Sequence, residues 1–427
     1  MLLGAAPRLH KSLESRIAQN GLLLTRTPLG ISVMGPVPAA RNESIPNESV
    51  NFIGLDNTPE DFFWNNESCP SIYDTTRAPS HEDRVAQALI EKSTVRRPDG
   101  RFEIRPPWRS SSPSMPDNRI PVRRRFESLH KRFLKEPDYF EDYSKTICAS
   151  IEEGHAEKVP ANELRKSPGK TNYLPHHGVE SDHKKLRVVY DTSLKTKGKS
   201  LCSEIMSGPD TLNSLYGVLL RFRQEEVPVV ADLRKYYCSV YVPKEDADYL
   251  RFFWFEDPKD KTSPIVEYRC LIHLFGGKWS QSVASHALDR TLEQAVAQSL
   301  ITREEAVKIK RSFYSDDNPR SYRDVDIAIT SSLKLIEILS HGGFMIAKFV
   351  STERQVLENI PKHLRHPDVE DLNLSGKTMM VLGLNWSLDD DAFCFDLKLE
   401  TFDIHTKRHL LSCVASIFDP CGLVSFA

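Results

Sequence analysis

The chain contains no C-x-x-C pair among its eight cysteines. They are scattered at Cys69, Cys148, Cys202, Cys238, Cys270, Cys394, Cys413 and Cys421, which suits reduced thiols in a cytosolic or nuclear setting. A disulfide framework or a zinc site would need paired spacings. Apolar runs of membrane-spanning length are missing, so no membrane partner is expected. Met1–Ala6 is too short, and too soon broken by Pro7 and Arg8, for a signal peptide. The Asn-Glu-Ser triplets at Asn42, Asn47 and Asn66 therefore read as loop residues rather than glycosylation sites. Neither sign of charge dominates: 59 acidic side chains face 57 basic ones. That balance excludes a histone-like binder but leaves room for basic charge confined to one channel. Repeats at solenoid periods are absent. So is the Asp-Thr/Ser-Gly triplet that an aspartic peptidase requires, because Asp74-Thr75-Thr76 and Asp191-Thr192-Ser193 lack the glycine.

What is present is length enough, at 427 residues, for two or three domains with real cores. Residues 21–35 hold a short apolar, strand-like piece, and from 36 to 120 Pro, Ser, Asn and charge predict largely irregular chain. Over 121–155 Phe126, Leu129, Phe133, Tyr139 and Phe140 recur at roughly helical spacing. The basic residues crowded nearby (Arg119, Arg123, Arg124, Arg125, Lys131, Arg132, Lys135) read as a solvated helix face in preference to a nucleic-acid patch. From about 170 onward the pattern is mixed α+β. Buried strands are predicted at 186–191 and 227–232, and further strands at 344–350, 379–386 and 393–397. Helices are predicted over 281–300 and over 325–340, the latter stopped by Gly342-Gly343.

The strongest local signal is Phe313-Tyr314-Ser315-Asp316-Asp317. Adjacent carboxylates among aromatic neighbours are costly unless exposed or bound to cations. A bare Asp-Asp pair is more often a helix start or a solvated turn. Here a second apolar strand, Val227–Ala231, delivers Asp232 at its end. Three carboxylates from two strands suit two Mg²⁺ ions roughly 3.5–4 Å apart, the arrangement for in-line phosphoryl displacement. Mn²⁺ is the expected substitute.

Around these residues the chain resembles, block by block and in order, the reverse transcriptases of the Pao/BEL group of long-terminal-repeat retrotransposons. Tyr173-Leu174-Pro175-His176-His177 and Leu186–Ser193 open the resemblance, which implies that Arg187 contacts the nucleotide triphosphate. Ala231–Tyr237 resembles motif A, where Tyr237 would exclude a ribose 2′-hydroxyl. His273-Leu274-Phe275-Gly276-Gly277 resembles the entry to motif B, implying nucleotide contacts for Phe275 and Gly276. Tyr314–Asp317 is similar to motif C, and Gly342–Lys348 to motif D, whose Lys348 is a candidate proton donor to pyrophosphate. Leu382, Gly383 and Trp386 fall in the block similar to the primer grip, and Thr406–Arg408 and Ala415–Pro420 in the block that follows it.

The resemblance implies a right-hand polymerase with fingers and palm, an antiparallel palm sheet backed by helices and an extended N-terminal region. Its domains would be a retropepsin tail (1–45), a partly helical extension (46–165), fingers and palm (166–365), and a primer grip with the start of a truncated thumb or connection (366–427). Implied partners are an RNA or DNA template with primer, deoxynucleoside triphosphates, and the protease, ribonuclease H and integrase of the same polyprotein. The implied setting is cytoplasmic, in a virus-like particle, or nuclear. Departures from the pattern are Ser315 in motif C, Pro319 in the strand after it, and the bulky Trp279 where small residues are usual. A non-catalytic nucleic-acid-binding remnant is the competing expectation.

Overall fold

Near its start the chain forms an antiparallel meander of β1 (Glu14–Ile17), β2 (Leu23–Thr27) and β3 (Gly30–Met34). The computed structural model describes residues 14–17, 23–27, 30–34, 79–181, 184–395 and 418–422. Residues 36–78 of the stretch expected to be irregular (36–120), the Thr406–Arg408 block and the first half of Ala415–Pro420 lie outside the described residues. From residue 79 the structure departs from that expectation with α1 (His81–Ser93). Ser80 and Asp83 cap it reciprocally: the Asp83 N–H donates to Ser80 Oγ at 3.1 Å, and the Ser80 N–H donates to Asp83 Oδ2 at 3.0 Å.

Two compact units emerge, one of residues 79–213 with 227–374, the other of 1–78 with 214–226 and 375–427. Residues 79–165 thus group with most of 166–365, residues 214–226 group with the smaller unit, and the larger unit ends at residue 374.

In the larger unit, β4 (Val95–Arg96) pairs with β5 (Phe102–Glu103), which pairs in turn with a later strand, β10 (Val240–Tyr241). Next come α2 (Arg119–Lys135) and α3 (Pro137–Glu152), the latter with proline at its first turn, where a missing N–H costs nothing. β6 (Ala156–Lys158) joins a sheet with two later strands, β12 (Ile265–Cys270) and β11 (Arg251–Phe255), in the order β11-β12-β6. β7 (His176–Ser181) and β8 (Lys184–Tyr190) form a separate hairpin.

The aromatic spacing read over 121–155 becomes a core: Trp254 stacks on Tyr143 at 5.4 Å and 15°, and Phe133 meets it edge-on at 5.6 Å. All three are fully buried. Trp254→Ala is therefore expected to cost about 3–5 kcal/mol in urea unfolding; an unchanged midpoint would contradict this packing.

The sheet that matters for function has the order β13-β9-β14, from β9 (Val227–Arg234), β13 (Asp317–Tyr322) and β14 (Met345–Ser351), both neighbours antiparallel to β9. In the smaller unit, α4 (Leu215–Phe222) adjoins a second three-stranded sheet of β15 (Thr378–Val381), β16 (Leu384–Ser387) and β17 (Ala392–Cys394). The predicted strand 379–386 is thus a hairpin.

Back in the larger unit, α5 (Ser280–Ala297) and α6 (Arg303–Ser312) precede α7 (Val325–His341), which covers the β13-β9-β14 sheet. Gly342-Gly343 ends α7 as predicted. Gly343 has φ +76°, and the Phe344 N–H closes the motif on Leu339 O at 3.0 Å. Mixed helix and strand bear out the α+β class. No helix among the described residues is long and apolar enough to cross a membrane.

Candidate active site

β9 is central in its sheet, and its apolar residues Val227, Val229, Ala231 and Leu233 are buried, so the strand's position is firmly determined. Asp232 lies directly opposite Asp317 in the β9–β13 register. The Leu233 N–H donates to Asp316 O at 2.8 Å, which makes 233/316 a hydrogen-bonded pair and 232/317 the closer kind without ladder bonds. Side chains of such a pair share one face. Like charges directly opposite destabilise a sheet unless a cation offsets them.

Asp316 stands at the exposed tip of the turn that joins Tyr314 to Asp317, which is closed by reciprocal backbone bonds of 2.8 and 3.1 Å. Of the two central residues only Ser315 has positive φ, at +55°, the pattern of a type II′ turn. A non-glycine residue held there is strained, a condition that clusters at functional sites. Pro319 sits on β13, an edge strand among the described residues, opposite Val230. The alternation set at 233/316 turns its missing N–H away from β9, so the proline costs the ladder nothing.

Lys348 reaches the same carboxylate from the other side. The β9–β14 register slips between Ala347 and Val350, and Lys348 takes φ +54°. This bulge re-aims the side chain, and its ammonium pairs with Asp232 Oδ2. Asp232 Oδ1 is buried and has no hydrogen-bond partner. That orphaned acceptor beside a facing carboxylate fits a divalent cation. Among the described residues no three His, Cys, Asp or Glu side chains are converged on one metal position. Mg²⁺ does not need such a cage, since it is typically held by one or two carboxylates with water and substrate phosphates completing the shell.

Tyr237 stands beside this turn. Its hydroxyl donates to Gln281 Oε1 at 3.1 Å and lies 3.4 Å from Ser315 Oγ, and Ser315 donates to the same Gln281 oxygen at 3.1 Å. Gln281, on the first turn of α5, was not singled out from the sequence, and an isolated glutamine carries no signal there. Buried Tyr236 lies behind, its phenol pushed well above the ordinary range first by burial and then by Tyr237, Asp289 and Asp316.

Phe275 is an exposed aromatic whose ring lies 5.8 Å from that of Tyr237. Gly276 follows with φ +93°, which demands glycine, and its carbonyl accepts from Thr192 just after β8 at 3.3 Å. Arg187 is exposed on β8 and makes no ion pair among the described residues. Trp279 does not project toward the carboxylates. It is fully buried, and its indole N–H donates to His273 Nδ1 at 3.1 Å. An indole can only donate, so the His273 proton sits on Nε2 and is given to Ile104 O at 3.0 Å.

The smaller unit holds the remaining predicted residues. Leu382 (φ +50°) and Gly383 (φ +87°) form the two-residue turn between β15 and β16. Trp386 is wholly buried against Phe222, ring centroids 5.2 Å apart, and donates to Asp391 Oδ1 at 2.9 Å. It supports the hairpin rather than presenting a surface. Comparison with protein-family models and with curated proteins finds no match to this chain.

Proposed function

We propose that the chain is the reverse-transcriptase segment of a Pao/BEL-type retrotransposon polyprotein, an RNA-directed DNA polymerase with fingers and palm that extends a primer on an RNA or DNA template. The observation that carries the reading is the pairing of Asp232 opposite Asp317, with Asp316 at the adjoining turn. Two strands far apart in sequence would have no packing reason to bring like charges together. Two Mg²⁺ ions on these carboxylates would activate the primer 3′-hydroxyl and neutralise the departing pyrophosphate.

Lys348 offsets the carboxylate charge through Asp232 and would be the proton donor to pyrophosphate. Tyr237, anchored by Gln281 and Ser315, presents its ring beside the turn as a wall against a 2′-hydroxyl. Phe275 extends that wall, and Arg187 supplies an uncommitted cation for a triphosphate. Leu382 and Gly383 would guide the primer from the β15–β16 turn, with Trp386 as their support.

Primer extension on a homopolymer template with Mg²⁺, by the full chain, tests the reading. Incorporation of deoxynucleotides that stops with chelator supports it, and template binding with no incorporation under any divalent cation replaces it with the non-catalytic remnant. Within the same assay Tyr237→Ala is expected to raise ribonucleotide incorporation by about tenfold, since a pocket wall rejects an added hydroxyl by no more than about a hundredfold. Unchanged discrimination would remove Tyr237 from the site.

A further inference from the structure

The basic residues at the start of α2 do not all end as a solvated face. Arg119 and Arg123 line a cavity of about 1350 Å³, together with Lys158, Arg165, Lys166, Lys197 and Lys199. Seven cations thus meet two carboxylates, Asp117 and Glu267. Glu267 is already committed, accepting from Arg251 at 3.0 Å, Arg119 at 2.7 Å and Tyr173 at 2.8 Å. Apolar Met115, Val159, Leu164, Ile265 and Val266 supply the rest of the surface. None of the lining belongs to β9, β13 or β14, so this is not the carboxylate site.

Two of the cations have no structural employment. Arg165 and Lys197 are exposed and make no hydrogen bond or ion pair among the described residues. Lys197 also holds φ +47° beside Gly198 at φ +82°, in a tight turn closed by Thr196 and Lys199. Asparagine or glycine is the usual occupant there, and a lysine keeps the position at a cost in backbone strain. Lys158 and Lys199 pair with Glu256 at 2.6 Å and Glu204 at 3.2 Å, both exposed contacts that open readily.

We infer that this cavity is a separate site for a single strand of nucleic acid, gripped by its phosphates with bases against the apolar lining. Its volume exceeds the roughly 300–1,000 Å³ of small-molecule pockets. Its cations come from three separated segments rather than converging from one loop, as a backbone with regularly spaced charges requires. The inference does not rest on polymerase activity, since a strand would bind with or without turnover.

The test is anisotropy titration of the full chain with a labelled single strand of about 12 nucleotides, in chelator so that the carboxylate site takes no part. Arg165→Glu/Lys197→Glu is expected to weaken binding about tenfold or more and to flatten the salt dependence by more than one contact's worth. Circular dichroism should be unchanged, because neither side chain has a partner to lose. The control Lys308→Glu/Lys362→Glu makes the same charge change at exposed positions elsewhere and should act weakly. Equal losses in both pairs, or no loss in the first, overturn the inference. Displacement of the strand by inorganic tripolyphosphate at matched phosphate concentration also overturns it, in favour of a small-anion site.

Discussion

Asp316→Asn and Asp232→Asn are each expected to lower nucleotide incorporation by about a thousandfold or more, equivalent to about 4 kcal/mol of transition-state stabilisation. An amide keeps the shape of the side chain but removes the charge that holds a divalent ion. The two variants differ in stability. Asp316 is exposed at a turn tip, so its amide leaves the urea midpoint unchanged. Asp232 is the partner of Lys348, so its amide takes away the charge that this ammonium pairs with and is expected to lower stability. Asp317→Asn relieves a like-charge pairing and is expected to leave stability equal or slightly raised, by up to about 1 kcal/mol. Loss of activity without loss of stability would mark these carboxylates as kept for chemistry. Extension at the parent rate by the Asp316 or Asp232 variant removes the assignment.

The second large effect is on folding in mild acid. His273 is wholly buried and His176 nearly so, and burial pushes each down to about 4. His176 is held neutral between the Tyr143 hydroxyl at 2.5 Å and Phe253 O at 2.9 Å. His273 lies between Trp279 and Ile104. An unfolded histidine takes a proton near pH 6.5, while these cannot until about pH 4. Between those values the unfolded chain binds more protons, so stability falls as pH falls through the window. At about pH 5 each costs roughly 2 kcal/mol relative to neutral pH, from about 1.4 kcal/mol per unit. Urea unfolding measured at about pH 7.5 and about pH 5 should show the loss, and His176→Gln should remove roughly 2 kcal/mol of it. A flat profile would mean that these imidazoles are not buried neutral.

Much of the site was legible in the chain because its parts are local. Val227–Asp232 is an apolar strand with a terminal carboxylate, and Tyr314–Asp317 is a turn with two. The helix over 325–340 and its Gly-Gly stop follow from periodicity and a left-handed cap. What was not legible is non-local. The opposition of 232 and 317 depends on register, and the aim of Lys348 depends on a bulge at a lysine that periodicity cannot foresee. Gln281 acquires its role only once α5 comes beside Tyr237 and Ser315.

Trp279 shows the converse. Its bulk suggested an obstruction, but the site supplied an acceptor, His273, that let the indole turn into the core. Pro319 likewise looked disruptive until β13 proved to be an edge among the described residues, with the proline at a position that needs no donor. The helix at 81–93 was missed although its Ser80/Asp83 cap is readable, because the surrounding polar composition outweighed a weak apolar face of Ala86 and Ile90.

Iron(II) supplied in place of Mg²⁺ reduces added hydrogen peroxide to hydroxide and a hydroxyl radical, itself becoming iron(III), and the radical cuts the backbone beside the ion; mapping those cuts on the full chain interrogates the carboxylates without requiring turnover. Cuts should cluster beside Asp232 and within 314–317, and excess Mg²⁺ should suppress them. Cuts confined to other segments, or none at these two, would contradict a cation held between β9 and the Ser315-Asp316 turn.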